Sequence, residues 1–247
     1  MEKIYGLIGA TVSHSFSKSY FDEKFFRDGL RDYHYELFPL EKIQEIENLF
    51  ANTKGLSGLN VTLPYKEQIL KYLDEVDPAA KEIGAVNVVK VENGKRKGYN
   101  TDSAAFLETL EKWLPKDKEF KAIVLGTGGS SKAVRQALVK LNIPHQTVSR
   151  DKSKGDLTYD GLKKDTSILK ETLLVINTTP LGMYPQTELY PPIAYECLTK
   201  NHYVYDLIYN PARTMFLQKA EMRGATIKNG LEMLHVQAEK SWQIWNN

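Results

Sequence analysis

The chain has 247 residues, 42% of them apolar and 26% charged, which suits a globular protein of one large domain or two small ones. Its 33 basic and 31 acidic residues are spread along the sequence and leave a formal net charge of +2, so the clustered basic stripe of a nucleic-acid binder is excluded. The one cysteine, Cys197, rules out an internal disulfide and points to a reducing compartment, and no apolar run approaches the roughly 20 residues that would span a bilayer.

The first hundred residues alternate between strand and helix patterns. IYGLIG (4–9) reads as a buried strand, SKSYFDEKFFRDGL (17–30) as a helix capped by Ser17 or Ser19, and YHYELFPL (33–40) as a strand. LEKIQEIENLFA (40–51) is amphipathic and helical, LSGLNVTLPY (56–65) is a strand running into a loop, and KEQILKYLDEV (66–76) and DPAAKEIG (77–84) read as helices. AVNVVKVENGKRKGYNT (85–101) predicts a hairpin turning at Asn93-Gly94. AAFLETLEKWL (104–114) is a helix long enough to bridge two lobes, with a hinge expected near 100–104.

A second alternating unit follows. KAIVLGTGGSSKAVRQALVKLNI (121–143) is strand, glycine-rich turn and helix; PHQTVSR (144–150), LLVINTTP (173–180) and YVYDLIY (203–209) are strands. ARTMFLQKAEMRG (212–224) is a helix with Gly224 at its C′ position, and GLEMLHVQAEKSWQIW (230–245) is a final amphipathic helix. This alternation predicts an α/β chain of two lobes with mainly parallel sheets covered by helices. The expected division is 1–102 with 231–247 as one domain, and 103–230 as the other.

The chemistry-bearing residues fall at element boundaries. Gly126, Gly128 and Gly129 follow an apolar strand and open a helix, the context in which a backbone approaches a pyrophosphate; a plain strand-to-helix turn is the alternative. At the end of the next strand, Arg150 and Lys154 suit the 2′-phosphate of NADP, while Asp151 favours NAD; a solvated charged loop is the alternative. Lys66 is expected at a helix start, where the macrodipole disfavours a cation, so it stands there for a reason other than helix stability or is an ordinary surface lysine. Asn87 lies in an apolar run and needs partners if buried. Asp102 either joins the chemistry or caps the bridging helix in competition with Ser103, and Ser15 and Ser17 either grip a carboxylate or shape a turn. His14, His34, His145, His202 and His235 show no metal-ligand spacing, and no metal is expected.

Together these segments resemble the shikimate dehydrogenase family over nearly the whole chain and in the family's order. The motifs are His14-Ser15-Phe16-Ser17, NVTLPYK (60–66), GAVNV (84–88), NTD (100–102), GTGGSSKA (126–133) in a fingerprint variant that lacks the third glycine, NTTPLGM (177–183), DLIYNP (206–211) and NGLEML..Q (229–237). Departures are Ser149-Arg150-Asp151 where the family often has Asn-Arg-Thr, and a chain that is short for the family.

The resemblance implies that 1–102 with 231–247 is an α/β substrate-binding and catalytic domain and 103–230 a Rossmann-type dinucleotide-binding domain. It implies reversible reduction of 3-dehydroshikimate to shikimate by NADPH, with Lys66 and Asp102 as a catalytic pair. It implies Ser15, Ser17, Thr62, Asn87, Asp102, Tyr209 and Gln237 as substrate contacts. Gly126, Thr127, Gly128, Gly129, Ser130, Ser149, Arg150, Lys154, Thr178, Leu207 and Gly230 are the implied cofactor contacts. NADP is the expected cofactor, with NAD left open by Asp151. A cytoplasmic monomer or homodimer without nucleic-acid or membrane partners is expected. The competing readings are an NAD-dependent quinate/shikimate dehydrogenase and a non-catalytic dinucleotide-binding regulator.

Overall fold

The computed structural model describes residues 2–13 and 15–247. They form two compact units, Met1–Thr101 with Ala238–Asn247, and Asp102–Gln237. The first unit contains β1 (Lys3–Gly9), α1 (Phe16–Arg27), β2 (Tyr33–Pro39), α2 (Ile46–Asn52), β3 (Leu56–Val61), β4 (Glu75–Val76), α3 (Pro78–Ile83), β5 (Val88–Glu92) and β6 (Lys95–Tyr99). Its six-stranded sheet has the order β2-β1-β3-β5-β6-β4. β1 pairs in parallel with β2 and β3, and β5 runs antiparallel to β3 and β6.

Side chains alternate across this sheet, as the two-residue strand period requires. Ile8, Leu59 and Val61 point into one core with Ile43, Ile46, Tyr65 and Ile69. Tyr5, Leu7 and Val88 point into the other, with Phe21, Phe25, Tyr35 and Trp245. Both faces are therefore covered. The hairpin turns at Asn93 and Gly94, both at positive φ (52° and 76°), the geometry that Asn-Gly supplies without strain. α3 starts with Asp77 accepting from the Ala79 N–H and Pro78 in its first turn, and stops at left-handed Gly84.

The second unit contains α4 (Asp102–Trp113), β7 (Ala122–Leu125), α5 (Gly129–Lys140), β8 (His145–Ser149), β9 (Leu157–Thr158), α6 (Tyr159–Lys164), α7 (Ser167–Glu171), β10 (Leu174–Asn177), β11 (Tyr203–Asp206), α8 (Met215–Glu221) and β12 (Thr226–Lys228). α9 (Leu231–Asn246) contributes residues to both units. The sheet order is β12-β11-β10-β7-β8-β9, every pairing parallel. Counted within the unit, this is the doubly wound order whose strand sequence reverses between β7 and β10. Ile123, Leu125 and Val175 face one core, and Ala122, Val124, Leu174 and Ile176 the other.

Several sequence expectations are corrected. Ser15, rather than Ser17 or Ser19, caps α1. The stretch 66–76 is not one helix: it holds a 3₁₀ turn, Gln68–Tyr72, and then β4. Edge pairing wins there, because Glu75 and Val76 pair with Lys97 and Gly98 while Asp74 accepts from the Arg96 N–H at 2.7 Å. The helix expected over 40–51 begins later, as a 3₁₀ turn (Ile43–Glu45) leading into α2. Gly224 is left-handed, but two residues beyond the cap Met222. β9, α6 and α7 fill a stretch in which the sequence pattern suggests no element. Among the described residues no helix is long and apolar enough to cross a membrane, and no group of three or more His, Cys, Asp or Glu could hold a metal ion.

Gly58 shows how tightly the first unit is packed. A Cβ there would lie 2.3 Å from Trp245 Nε1, whose N–H donates to the Val89 carbonyl at 3.0 Å. Gly58→Ala should therefore lower stability by about 1–3 kcal/mol, seen as a lower urea midpoint at unchanged slope. An unchanged midpoint would contradict this packing.

Candidate functional site

The first unit holds a chain of buried polar groups that includes Asn87, one of the expected substrate residues. Ser15 Oγ accepts from the Ser17 N–H at 3.2 Å, so the first hydroxyl of the pair is also the helix cap. His14, the first residue of that motif, lies outside the described residues. Ser17 is buried. Burial pushes the fully enclosed Tyr35 phenol above its ordinary range. The Tyr35 hydroxyl donates to Asn60 Oδ1 (2.8 Å), and Asn60 Nδ2 donates to Ser241 Oγ (3.1 Å) and the Asn87 carbonyl (3.4 Å). Ser241 Oγ lies 3.5 Å from Thr101 Oγ1.

Asn87 meets the requirement that a buried amide find partners. Its Nδ2 donates to Thr101 Oγ1 at 2.9 Å, and its Oδ1 accepts from the Thr101 N–H at 2.8 Å. The chain is thus fixed immediately ahead of Asp102, which is buried and opens α4.

The NVTLPYK segment is held by hydrogen bonds along its length. The Thr62 N–H donates to the Ile8 carbonyl at 2.9 Å, and the Tyr65 N–H to the Thr62 carbonyl at 2.9 Å. The buried Tyr65 hydroxyl donates to the Leu40 carbonyl at 2.7 Å, and the Lys66 carbonyl accepts from the Val86 N–H at 2.8 Å. Val86 and Asn87 are consecutive, so one short stretch of backbone fixes both Lys66 and Thr101. Lys66 is half-buried in a turn ahead of a five-residue 3₁₀ helix, so the macrodipole argument for its position falls away.

In the second unit the glycine turn lies where the strand order reverses. Gly126 adopts φ +108°, and a Cβ on it would sit 2.7 Å from Thr178 Oγ1, so both conformation and packing require glycine. Gly128 caps α5 and would place a Cβ in open space, leaving its backbone open to a ligand. Gly129 is the buried first residue of α5, with Thr127 and Ser130 half-buried beside it. Ser131, in place of the third glycine, donates to the Gly126 carbonyl at 2.7 Å and closes the turn. Thr178 donates from its N–H and its hydroxyl to the Leu125 carbonyl at 2.9 and 2.7 Å, joining β10 to β7 at the same end. A helix N-terminus directs backbone N–H groups outward along a favourable dipole, and here it fits the pyrophosphate of a dinucleotide.

At the end of β8, Ser149 is buried and accepts from the Asp151 N–H at 3.1 Å, while Arg150 is exposed. Asp151 is turned into its own loop. Its Oδ1 accepts from the Ser153 hydroxyl (2.7 Å) and N–H (2.9 Å), and Lys154 Nζ lies 3.6 Å from its Oδ2. The Ser153 hydrogen bonds hold its carboxyl below the usual carboxylate range.

The sequence model described as "Shikimate dehydrogenase substrate binding domain" matches residues 7–89. The NADP(+) shikimate dehydrogenase of Methanococcus aeolicus is 39% identical over 257 residues, covering 98% of this chain and 91% of that protein. The chain belongs to the shikimate dehydrogenase family. The Thermus thermophilus shikimate 5-dehydrogenase, solved with NADP(H) and shikimate, is similar at a TM-score of 0.84 and 29% identity, covering 98% of this chain and 93% of that one. The Corynebacterium glutamicum quinate dehydrogenase, solved with NAD, is similar at a TM-score of 0.86 and 28% identity, covering 99% and 93%.

The remaining family positions also lie in the second unit. A Cβ on Gly230 would sit 2.0 Å from the Leu207 carbonyl oxygen, and the Gly230 N–H donates to the Ile208 carbonyl at 3.1 Å. Tyr209 is half-buried, and Gln237 Nε2 donates to the Leu234 carbonyl at 3.0 Å.

Sequence reasoning missed Tyr35, Asn60, Ser241 and Asp206. Asp206 had a signal: an acidic residue ending the apolar run YVYD. It is fully buried, and this pushes its carboxyl up to about 7 despite hydrogen bonds from Thr214, Ile208 and Asn177 that lower it. A carboxyl raised on folding keeps its proton in the folded chain while the unfolded chain has lost it. Its contribution is therefore fully present below about pH 4 and is lost as pH climbs to about 7. Asp206→Asn removes that loss. The variant's Tm relative to the parent should rise between pH 5 and pH 8 in thermal melts; an offset constant with pH would contradict the assignment.

Proposed function

We propose that this chain is an NADP-dependent shikimate dehydrogenase, transferring hydride reversibly between C4 of the nicotinamide and C3 of 3-dehydroshikimate. The observation that carries the reading is identity at 39% across 98% of the chain with an NADP(+) shikimate dehydrogenase. The open backbone at Gly128, the glycine-only geometry at Gly126 and the start of α5 fit a dinucleotide there. When bound, the cofactor supplies or takes the hydride.

The chain's own residues do the rest. As hydride reaches C3, negative charge grows on the ketone oxygen and needs a donor beside it. We assign that donor to Lys66, with Asp102 as its partner in a coupled pair that takes the proton back in the reverse direction. Ser15 and Ser17 hold the substrate carboxylate, Thr62, Asn87, Asp102 and Gln237 the ring hydroxyls, and Tyr209 lines the ring. Groups arranged to bond hydroxyls reject analogues that lack one. Gly126, Thr127, Gly128, Gly129 and Ser130 hold the pyrophosphate. Ser149, Arg150 and Lys154 hold the 2′-phosphate, and Thr178, Leu207 and Gly230 the nicotinamide end. The lone cysteine, Cys197, is buried and supports a reducing, cytoplasmic setting.

The quinate dehydrogenase relative gives NAD a second reading, and Asp151 is the residue that would favour it. Its carboxylate is already occupied by Ser153 and faces Lys154, which supports NADP.

Lys66→Ala should lower kcat by about 10²–10⁴-fold with a smaller change in KM for shikimate. A large KM change at near-normal kcat would sink the role. Arg150→Ala should raise KM for NADP+ by about 10-fold, the order of one lost charged contact, and leave NAD+ turnover nearly unchanged. Equal losses with both cofactors would contradict the 2′-phosphate assignment.

A further inference from the structure

Asp206 is an ionisable group with 0% exposure and no part in the mechanism above. A buried carboxylate is costly unless its oxygens are paired, and its partners here come from three separate segments. The donors are Asn177 Nδ2 at the end of β10 (3.0 Å), the Ile208 N–H just past β11 (3.1 Å) and the Thr214 hydroxyl at the start of α8 (2.6 Å).

Each partner leads on to other backbone. Asn177 precedes Thr178; its Oδ1 accepts from the Thr179 N–H (3.0 Å) and hydroxyl (2.7 Å), and its carbonyl accepts from the Leu207 N–H (3.0 Å). Ile208 lies between Leu207 and Tyr209, and its carbonyl accepts from the Gly230 N–H at 3.1 Å. Thr214 caps α8 by accepting from the Leu217 N–H at 3.3 Å. Thr178, Leu207, Tyr209 and Gly230 are all residues assigned above to the cofactor or substrate. Asp206 Oδ1 accepts from Asn177 and Ile208, and its Oδ2 meets the Thr214 hydroxyl, which can donate to the carboxylate or accept from the protonated acid. A carboxamide of the same shape can keep the oxygen shared by Asn177 and Ile208, but it replaces the 2.6 Å contact with the Thr214 hydroxyl by a longer N–H···O bond.

We propose that Asp206 is a positioning residue for NADP binding, its carboxyl group setting segments 177–179 and 207–209 so that Thr178 and Leu207 meet the nicotinamide end of the cofactor. The proposal rests on the cofactor site described under the proposed function.

The test measures NADPH affinity by fluorescence titration, together with KM for NADP+ and kcat, in the parent, Asp206→Asn, Thr214→Val and Thr214→Ser. Asp206→Asn should weaken NADPH binding and raise KM for NADP+ by about 10-fold or more, with kcat falling less, as expected when binding groups shift by a fraction of their contact distance. Thr214→Val should move both quantities in the same direction, and Thr214→Ser, which keeps the hydroxyl, should restore the parent values. If Asp206→Asn does not fold, the Thr214 pair decides. Parent-like NADPH affinity and KM in every folded variant, whatever the change in Tm, overturns the positioning role alone. A parent that does not bind NADPH overturns it together with the cofactor reading.

Discussion

Asn87 uses both ends of its carboxamide on Thr101, and the residue before it, Val86, pairs with the Lys66 carbonyl. The two consecutive residues fix the backbone of the proposed proton donor and the chain entering Asp102. A side chain can present a proton reliably only if its backbone is held, and here that hold is buried, where a lost hydrogen bond is expensive. The network continues from Asn87 through Asn60 to Tyr35 and Ser241, so the support beneath these backbone contacts extends across the sheet and onto the last helix.

The second unit solves a different problem with the same means. A dinucleotide needs backbone donors exposed at a strand end. Gly126 lets the turn close against Thr178, Gly128 keeps it open, and Ser131 locks it from inside. Asp206 ties together the loops that follow β10 and β11. Both units thus place polar side chains under the loops proposed to face ligands, and each buried group answers to several donors or acceptors.

What is legible in the sequence is local. Strand periodicity, the Asn93-Gly94 turn and the glycine turn after KAIVLG depend on neighbours in the chain, and they form as the pattern suggests. Lys66 stands out by its motif, but the helix-start argument for it fails: the pairing of β4 with β6 divides the stretch expected to be helical. Asp151 reads as an acid available to a ribose until Ser153 and Lys154 emerge as its partners. The supporting groups are out of reach because their bonds span long separations. Asn60 meets Ser241 from 181 residues away, and Asp206 meets Asn177 from 29. No periodicity encodes such pairs; they exist only once the sheets have formed.

The most direct measurement is turnover of the purified chain with shikimate and with quinate, each against NADP+ and NAD+, followed by absorbance of the reduced nicotinamide. High kcat/KM is expected for shikimate with NADP+, and much lower values for the other three pairs. Comparable turnover with quinate and NAD+ would refute the specificity assigned here, and no turnover with any pair would refute the enzymatic reading itself.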